Sequence, residues 1–399
     1  MTFRLFAAAV LVALLHAFDD AFLLPGGGVP LTQHALAFAI ALAASVLAVW
    51  RFRSLRPGVQ AALAFSFGAL AMINGGRHLH HVLTSGVTAN DVTGLLAFGA
   101  GLVLVGLAAW IPFSHRGEGR WVARLLVPPA GLAFIWLVLG PVGMAIVDIH
   151  SLPRAVGSPP SAAYRTVHFR TADGLRLEGW YRPSRNGAAV LMISGGGGNR
   201  RSTLRHARML ERHGYGVLVY DPRGAGRSEG TINSYGWGWD KDADAAIDFL
   251  AAHEPGRIGA LGLSTGADMA IDAAGRRSDL AAVVADGSAA IGYEDIEEYS
   301  GRALDRAPMW VLFKTIEVLD GRSGPKVSLA ERIAHTRTPN LLISANKAEK
   351  PWGELYDRRG RSRSELWYLP HAGHTAALRQ YPRAYERRVT AFLDAHLLT

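Results

Sequence analysis

Residues 257–275 read RIGALGLSTGADMAIDAAG. After Arg257 the next six residues are apolar or small, the length of a buried strand, and Ala267–Ala274 continues as an alanine-rich helix. Between them stands Gly262-Leu263-Ser264-Thr265-Gly266, a G-x-S-x-G pentapeptide. A serine at such a strand-to-helix junction sits on a sharp turn with its hydroxyl exposed, and the flanking glycines permit close backbone approach. A serine hydroxyl is a poor nucleophile at neutral pH, so this reading requires a base elsewhere in the chain.

Working outward, short apolar runs recur at Tyr164–Phe169, Leu175–Tyr181, Ala188–Ser194, Gly216–Asp221, Ala281–Asp286, Asn340–Ala345 and Glu365–Leu369. The first two flank Asp173-Gly174, a hairpin signal. Helical patterns separate most of the others, including Trp237–Ala252 and a last one over Ala376–Leu397. Alternating strands and helices predict a mostly parallel α/β sheet flanked by helices.

His374 is the expected base. It lies in His371-Ala372-Gly373-His374, after the last strand, and has the glycine and closing helix that His371 lacks. The base needs an acid to hold its tautomer. Glu349, four residues past the strand Asn340–Ala345, ranks first; Glu354 and then Asp286 are the alternatives. Ser194-Gly195-Gly196-Gly197-Gly198 follows another strand, and a backbone N–H there, at Gly196 or Gly195, would join that of Thr265 as an oxyanion hole. The Lys-Ser/Thr ending of a phosphate-binding loop is missing. No cofactor is expected.

Taken together, these residues resemble the α/β-hydrolase superfamily over residues 164–399. Asp221-Pro222-Arg223-Gly224-Ala225-Gly226-Arg227-Ser228 is similar to the superfamily's D-x-R-G-x-G-x-S segment, to which we assign a structural role. The order Ser264, Glu349, His374 is also that of the superfamily. The resemblance implies an α/β-hydrolase fold with a small cap insert at about 287–337. There Trp310, Leu312, Phe313, Ile316 and Leu319 form an apolar stripe expected to pack as core. It also implies a Ser-His-acid serine hydrolase of esterase or lipase type, cleaving an ester, amide or thioester through an acyl-enzyme. Two alternatives stand beside it: a peptidase of the prolyl-oligopeptidase type, and a membrane binding or transport module with an inactive hydrolase domain.

The N-terminal half has a different composition. Five apolar stretches, at about Leu5–Leu24, Leu31–Trp50, Val59–Ile73, Val92–Phe113 and Leu125–Val147, approach the roughly 20 residues that span a bilayer. Residues 1–150 are therefore expected to form an all-α transmembrane bundle of about five helices, followed by a Pro/Ser/Gly/Ala-rich linker at 151–163. Arg51, Arg53 and Arg56 follow the second stretch, and Arg116, Arg120 and Arg124 the fourth. The positive-inside bias places both loops in the cytoplasm, and five spans put the hydrolase domain outside it. The expected partners are membrane lipids and a small ester or lipid substrate.

The chain has 42 basic residues against 33 acidic ones, a net charge of +9. No basic helix or aromatic-basic alternation accompanies that excess, so nucleic acid is not an expected partner. Cysteine is absent, which excludes disulfides, thiolate zinc sites and a cysteine nucleophile.

One cluster exceeds what an anchor needs. His16, Asp19 and Asp20 fall on one face of the first apolar helix, where ionisable groups are costly and usually meet a partner. His34, His78, His80, His81, Asp148 and His150 lie on the same expected side. A cation site from His16, Asp20, His78 and His81 is conceivable, since imidazole and carboxylate suit zinc.

Overall fold

The computed structural model describes residues 1–23, 31–85, 91–114, 131–149 and 155–398. Packing divides the chain inside a helix, into Met1–Trp136 and Leu137–Thr399, whereas the sequence pattern places the boundary at residue 150.

The first unit is helical: α1 (Thr2–Phe18, extended by a π-helical turn, Asp19–Leu23), α2 (Leu31–Arg51), α3 (Pro57–Ser85), α4 (Asp91–Ser114) and the start of α5 (Gly131–Ile149). Four segments among the described residues, Thr2–Leu23, Pro57–Gly76, Asp91–Pro112 and Gly131–Ile149, are long and apolar enough to cross a membrane. The sequence pattern ends the third apolar stretch at Ile73, yet α3 continues to Ser85. Its glycines explain part of this, because a Cβ at Gly75 would stand 2.4 Å from the Gly94 carbonyl oxygen. The two backbones thus pack directly, as small residues allow between apolar helices. The continuation carries His78 alongside α4. His150 and the side chains of His34, His80 and His81 lie outside the described residues, so the proposed role of His81 has no structural counterpart here.

The second unit is built on eight strands: β1 (Arg165–Arg170), β2 (Arg176–Arg182), β3 (Ala189–Ile193), β4 (Gly216–Tyr220), β5 (Ile258–Leu263), β6 (Leu280–Asp286), β7 (Asn340–Ala345) and β8 (Ser364–Leu369). Their order is β1-β2-β4-β3-β5-β6-β7-β8, with β2 antiparallel to both β1 and β4 and every other pairing parallel. This is the α/β-hydrolase fold. Strands β3, β4 and β5 are buried at every residue, because helices cover both faces of a parallel sheet. On β3, Leu191 and Ile193 pack with α7 (Trp239–His253) and α8 (Thr265–Arg276). Val190 and Met192 face the other way, onto α6 (Leu204–Arg212) and α14 (Pro382–Leu397). Each fully buried aliphatic side chain contributes roughly 1.5–3 kcal/mol to this sandwich.

Three details depart from the sequence pattern. The expected closing helix over 376–397 is broken into α13 (Ala377–Gln380) and α14, with Pro382 at the start of the second; proline cannot donate to a continuing helix but suits a first turn. Within the expected cap insert, about 287–337, α9 (Tyr293–Tyr299) and α10 (Ala303–Asp320) are followed by α11 (Leu329–His335), whose Leu329, Ala330 and Ile333 belong to the main core. Within the apolar stripe, Leu312, Phe313 and Ile316 are buried against Trp237, Ile296 and Ala145 of α5, as core packing requires. Trp310 and Leu319 are about half exposed.

Candidate active site

Ser264 joins β5 to α8 with φ 54° and ψ −126°, a left-handed conformation that costs a non-glycine residue of order 1–3 kcal/mol. Its N–H donates to the Asp286 carbonyl (2.8 Å), and its own carbonyl accepts from Ala267 (2.7 Å), which starts the helix. The turn is closed by two backbone contacts that exclude side chains. A Cβ at Gly262 would lie 1.9 Å from the Gly266 oxygen, and one at Gly266 would lie 2.3 Å from the Ile193 oxygen. The glycines of the pentapeptide are therefore required by space.

His374, in the turn after β8, brings Nε2 to 2.9 Å from Ser264 Oγ. Its Nδ1 lies 2.8 Å from Glu349 Oε1. The hydrogen bond that His374 donates to Glu349 raises the imidazole pKa above the ordinary histidine value, against the opposing effect of burial. Glu349 is itself buried, in the first turn of α12 (Asn346–Gly360). Its Oε2 accepts the Ala345 N–H at 2.8 Å and its Oε1 the Asn346 side-chain amide at 3.3 Å. Asn346, not singled out from the sequence, accepts the Ala348 N–H at 2.8 Å. Asn346-Lys-Ala-Glu349 has the spacing of a capping box, in which the glutamate reaches back to an N–H at the helix start. These bonds hold the Glu349 carboxylate against the start of α12.

The two alternative acids are placed elsewhere. Glu354 pairs with Lys350 at 3.3 Å, both partly exposed. Asp286 contributes its backbone carbonyl to the elbow, while its carboxyl is buried near the Tyr385 hydroxyl. Burial, chiefly, raises that carboxyl's pKa to about 7. Against an unfolded value of about 3.9, the folded protein holds the extra proton between those pH values, so this group's contribution to stability falls as pH rises from about 4 to 7. Asp286→Asn is therefore expected to gain melting temperature over the wild type at pH 8 but not at pH 5, with activity retained within about tenfold. An equal effect at both pH values would contradict the buried-acid assignment.

The glycine loop after β3 lies against the elbow, with Gly196 close to Thr265 Oγ1. Among the described residues the N–H groups of Gly196 and Thr265 donate to no protein acceptor; that of Thr265 is a first-turn donor of α8, which has no intrahelical partner. Thr265 Oγ1 is occupied by the Ser234 carbonyl at 2.7 Å, so its contribution to an oxyanion site is the backbone N–H. The D-x-R-G-x-G-x-S segment braces the sheet, in keeping with its assigned role. Asp221, fully buried, accepts from Arg200 at 2.6 Å and from the Arg227 N–H at 2.9 Å. Arg223 joins Asp242 of α7 (2.7 Å) to Asp173 of the β1–β2 turn (3.0 Å).

Residues 173–395 match the family model of X-Pro dipeptidyl-peptidases, the S15 family, and so cover more than half of the chain. The chain belongs to the S15 family. It is 36% identical over 141 residues to the uncharacterized protein Rv2307c of Mycobacterium tuberculosis, covering 33% of this chain and 50% of that one. It is 34% identical over 123 residues to the thiohydrolase aneE of Aspergillus aculeatus, covering 28% and 37% respectively. The S15 member thus spans about half or less of the length of these curated relatives. Among solved structures, the Pyrococcus furiosus esterase Pf2001 superposes with a TM-score of 0.50 at 23% identity, over 61% of this chain and 97% of that one. That likeness concerns the fold.

Proposed function

We propose that the S15 member hydrolyses a carboxylic ester or thioester through a Ser264–His374–Glu349 triad. The observation that carries this reading is the unbroken line of hydrogen bonds from Glu349 through both nitrogens of His374 to Ser264 Oγ. The same line argues against the reading of an inactive hydrolase domain.

The chemistry follows from the atoms. Ser264 Oγ attacks the acyl carbon as its proton passes to His374 Nε2, and Glu349 stabilises the imidazolium through Nδ1–H. The N–H groups of Gly196 and Thr265 receive the negative charge on the carbonyl oxygen. His374 returns the proton to the leaving alcohol or thiol, leaving an acyl-serine. Water then attacks that ester by the same route, with His374 again as base, and releases the acid. No step requires a cofactor.

Esters and thioesters are put first because alcohols and thiols leave more readily than amines, and because a relative is named a thiohydrolase. The family description favours a second reading, cleavage after an Xaa-Pro dipeptide. A panel of p-nitrophenyl esters, acyl-thioesters and Xaa-Pro p-nitroanilides separates them. The expected order in kcat/KM has both acyl panels above the anilides by at least about tenfold, a difference of about 1.4 kcal/mol. Preference for the anilides would replace the ester reading with the peptidase one.

The helices of the first unit would hold the enzyme in a membrane, in contact with its lipids. Arginines on the loops after α2 and α4 support placing those loops in the cytoplasm and the hydrolase domain outside it.

A further inference from the structure

The first unit contains a second cluster of chemically competent side chains that the hydrolase chemistry does not use. His16 and Asp20 of α1 and its π-helical turn, and His78 of α3, each offer one ligand atom, all within 4.8 Å of one another. We propose that these three residues form a zinc site tying the N-terminal helix to α3, with α4 supplying the groups that orient the ligands.

The hydrogen bonds determine which nitrogens are available. The Thr93 hydroxyl has a single proton, and it donates that proton to the Asp19 carboxylate. Its contact with His16 Nδ1, at 3.1 Å, therefore requires Nδ1 to be the donor. The neutral ring then carries a lone pair on Nε2. That atom is buried, His16 being 1% exposed, and has no hydrogen-bond partner among the described residues. It faces Asp20 Oδ2 at 3.6 Å, too long for a hydrogen bond.

A lone pair pointed at a carboxylate is unfavourable unless a cation stands between them. The 3.6 Å separation is close to the roughly 3.3 Å between neighbouring ligands of a tetrahedral zinc with bonds of about 2.0–2.1 Å. His78 repeats the pattern: its Nδ1 lies 3.2 Å from Asp91 Oδ1, which leaves Nε2 as its second donor atom. Its ring packs edge-on to that of His16, with centroids 5.0 Å apart. Imidazoles held at Nδ1 by an acceptor, with Nε2 turned to a metal, are the usual arrangement around zinc.

Two histidines and a carboxylate are a three-ligand set that leaves the fourth position for water or a further ligand. Asp20 is 41% exposed, so the site is reachable from outside the helix pair. The π-helical turn at Asp19–Leu23 has a place in this scheme. It permits Asp19 to hold Thr93 while Asp20, the next residue, turns to His16; π-type turns are frequent at functional sites.

The experiment uses the full chain purified in detergent, stripped with EDTA, and titrated with zinc chloride. We expect about one zinc per chain by mass spectrometry of the metal. Asp20→Asn and His78→Gln should each weaken binding at least 100-fold, and Thr93→Val about 10- to 100-fold, as loss of an orienting partner does. Circular dichroism reports whether each variant retains its helices. X-ray absorption of the zinc-loaded wild type, which needs no variant, should give two imidazoles in the first shell. Failure of the folded wild type to bind zinc at micromolar concentration would overturn the proposal. So would a shell without imidazole, or binding unchanged in all three variants.

Discussion

Ser264→Ala is expected to reduce kcat/KM on the preferred ester by about 10⁴- to 10⁶-fold, with no loss of folded protein. The substitution removes one oxygen. Alanine adopts φ 54° at much the same cost as serine, and the glycine contacts that close the turn are untouched. Residual hydrolysis would come from the oxyanion donors and substrate binding alone. Covalent labelling by a fluorophosphonate, read as a mass increment on a peptide containing Ser264, should vanish in the variant. The elbow makes this a sharp test, because His374 Nε2 lies 2.9 Å from this hydroxyl. Persistent labelling of the variant would assign the nucleophile to another residue.

Glu349→Gln should have the next largest effect, a loss of about 10⁴-fold in kcat. A glutamine amide can donate to His374 Nδ1, which would leave the proton on Nε2 and the ring unable to accept one from Ser264. The pH profile gives a second readout. His374 acts as a base only when neutral, and Glu349 raises its pKa above the ordinary value. The wild-type kcat/KM should therefore rise with pH through that raised pKa. Removing the negative charge lowers the pKa again, so the acid limb of the variant should move to lower pH. Glu354→Gln, which only loses a surface pair with Lys350, should leave both rate and profile unchanged. An unshifted limb in Glu349→Gln would mean that another acid serves His374.

The fold and the candidate nucleophile were legible because they rest on local signals. A buried strand, a G-x-S-x-G turn and an amphipathic helix are each contained within about 20 residues, and the strained serine is explained by its immediate glycine neighbours. The succession of strands and helices along the chain, and the histidine after the last strand, followed from the same local periodicity. The acid could only be ranked. Glu349, Glu354 and Asp286 are all carboxylates near strand ends, and the spacing along the chain carries no distance across the sheet. The capping geometry at Asn346 and the burial of Asp286 separate them, and both depend on the packed structure.

The same division holds in the helical half. Hydropathy alone located the apolar helices, whose lengths approach the roughly 20 residues that a bilayer crossing requires. It could not show that α3 runs on past Ile73, because that depends on a glycine contact with α4. Nor could it tell which polar residues meet. His16 and Asp20 are one helical turn apart and pair by period, whereas Thr93, Asp91 and His78 come from helices distant in sequence. The sequence by itself determined the element types, the serine elbow and the histidine, because backbone preferences and apolar periodicity act over a few residues. Only the tertiary structure brought Glu349 to His374, put Leu329, Ala330 and Ile333 into the main core and gave His16 its partners. Those depend on distances between segments that no local preference controls.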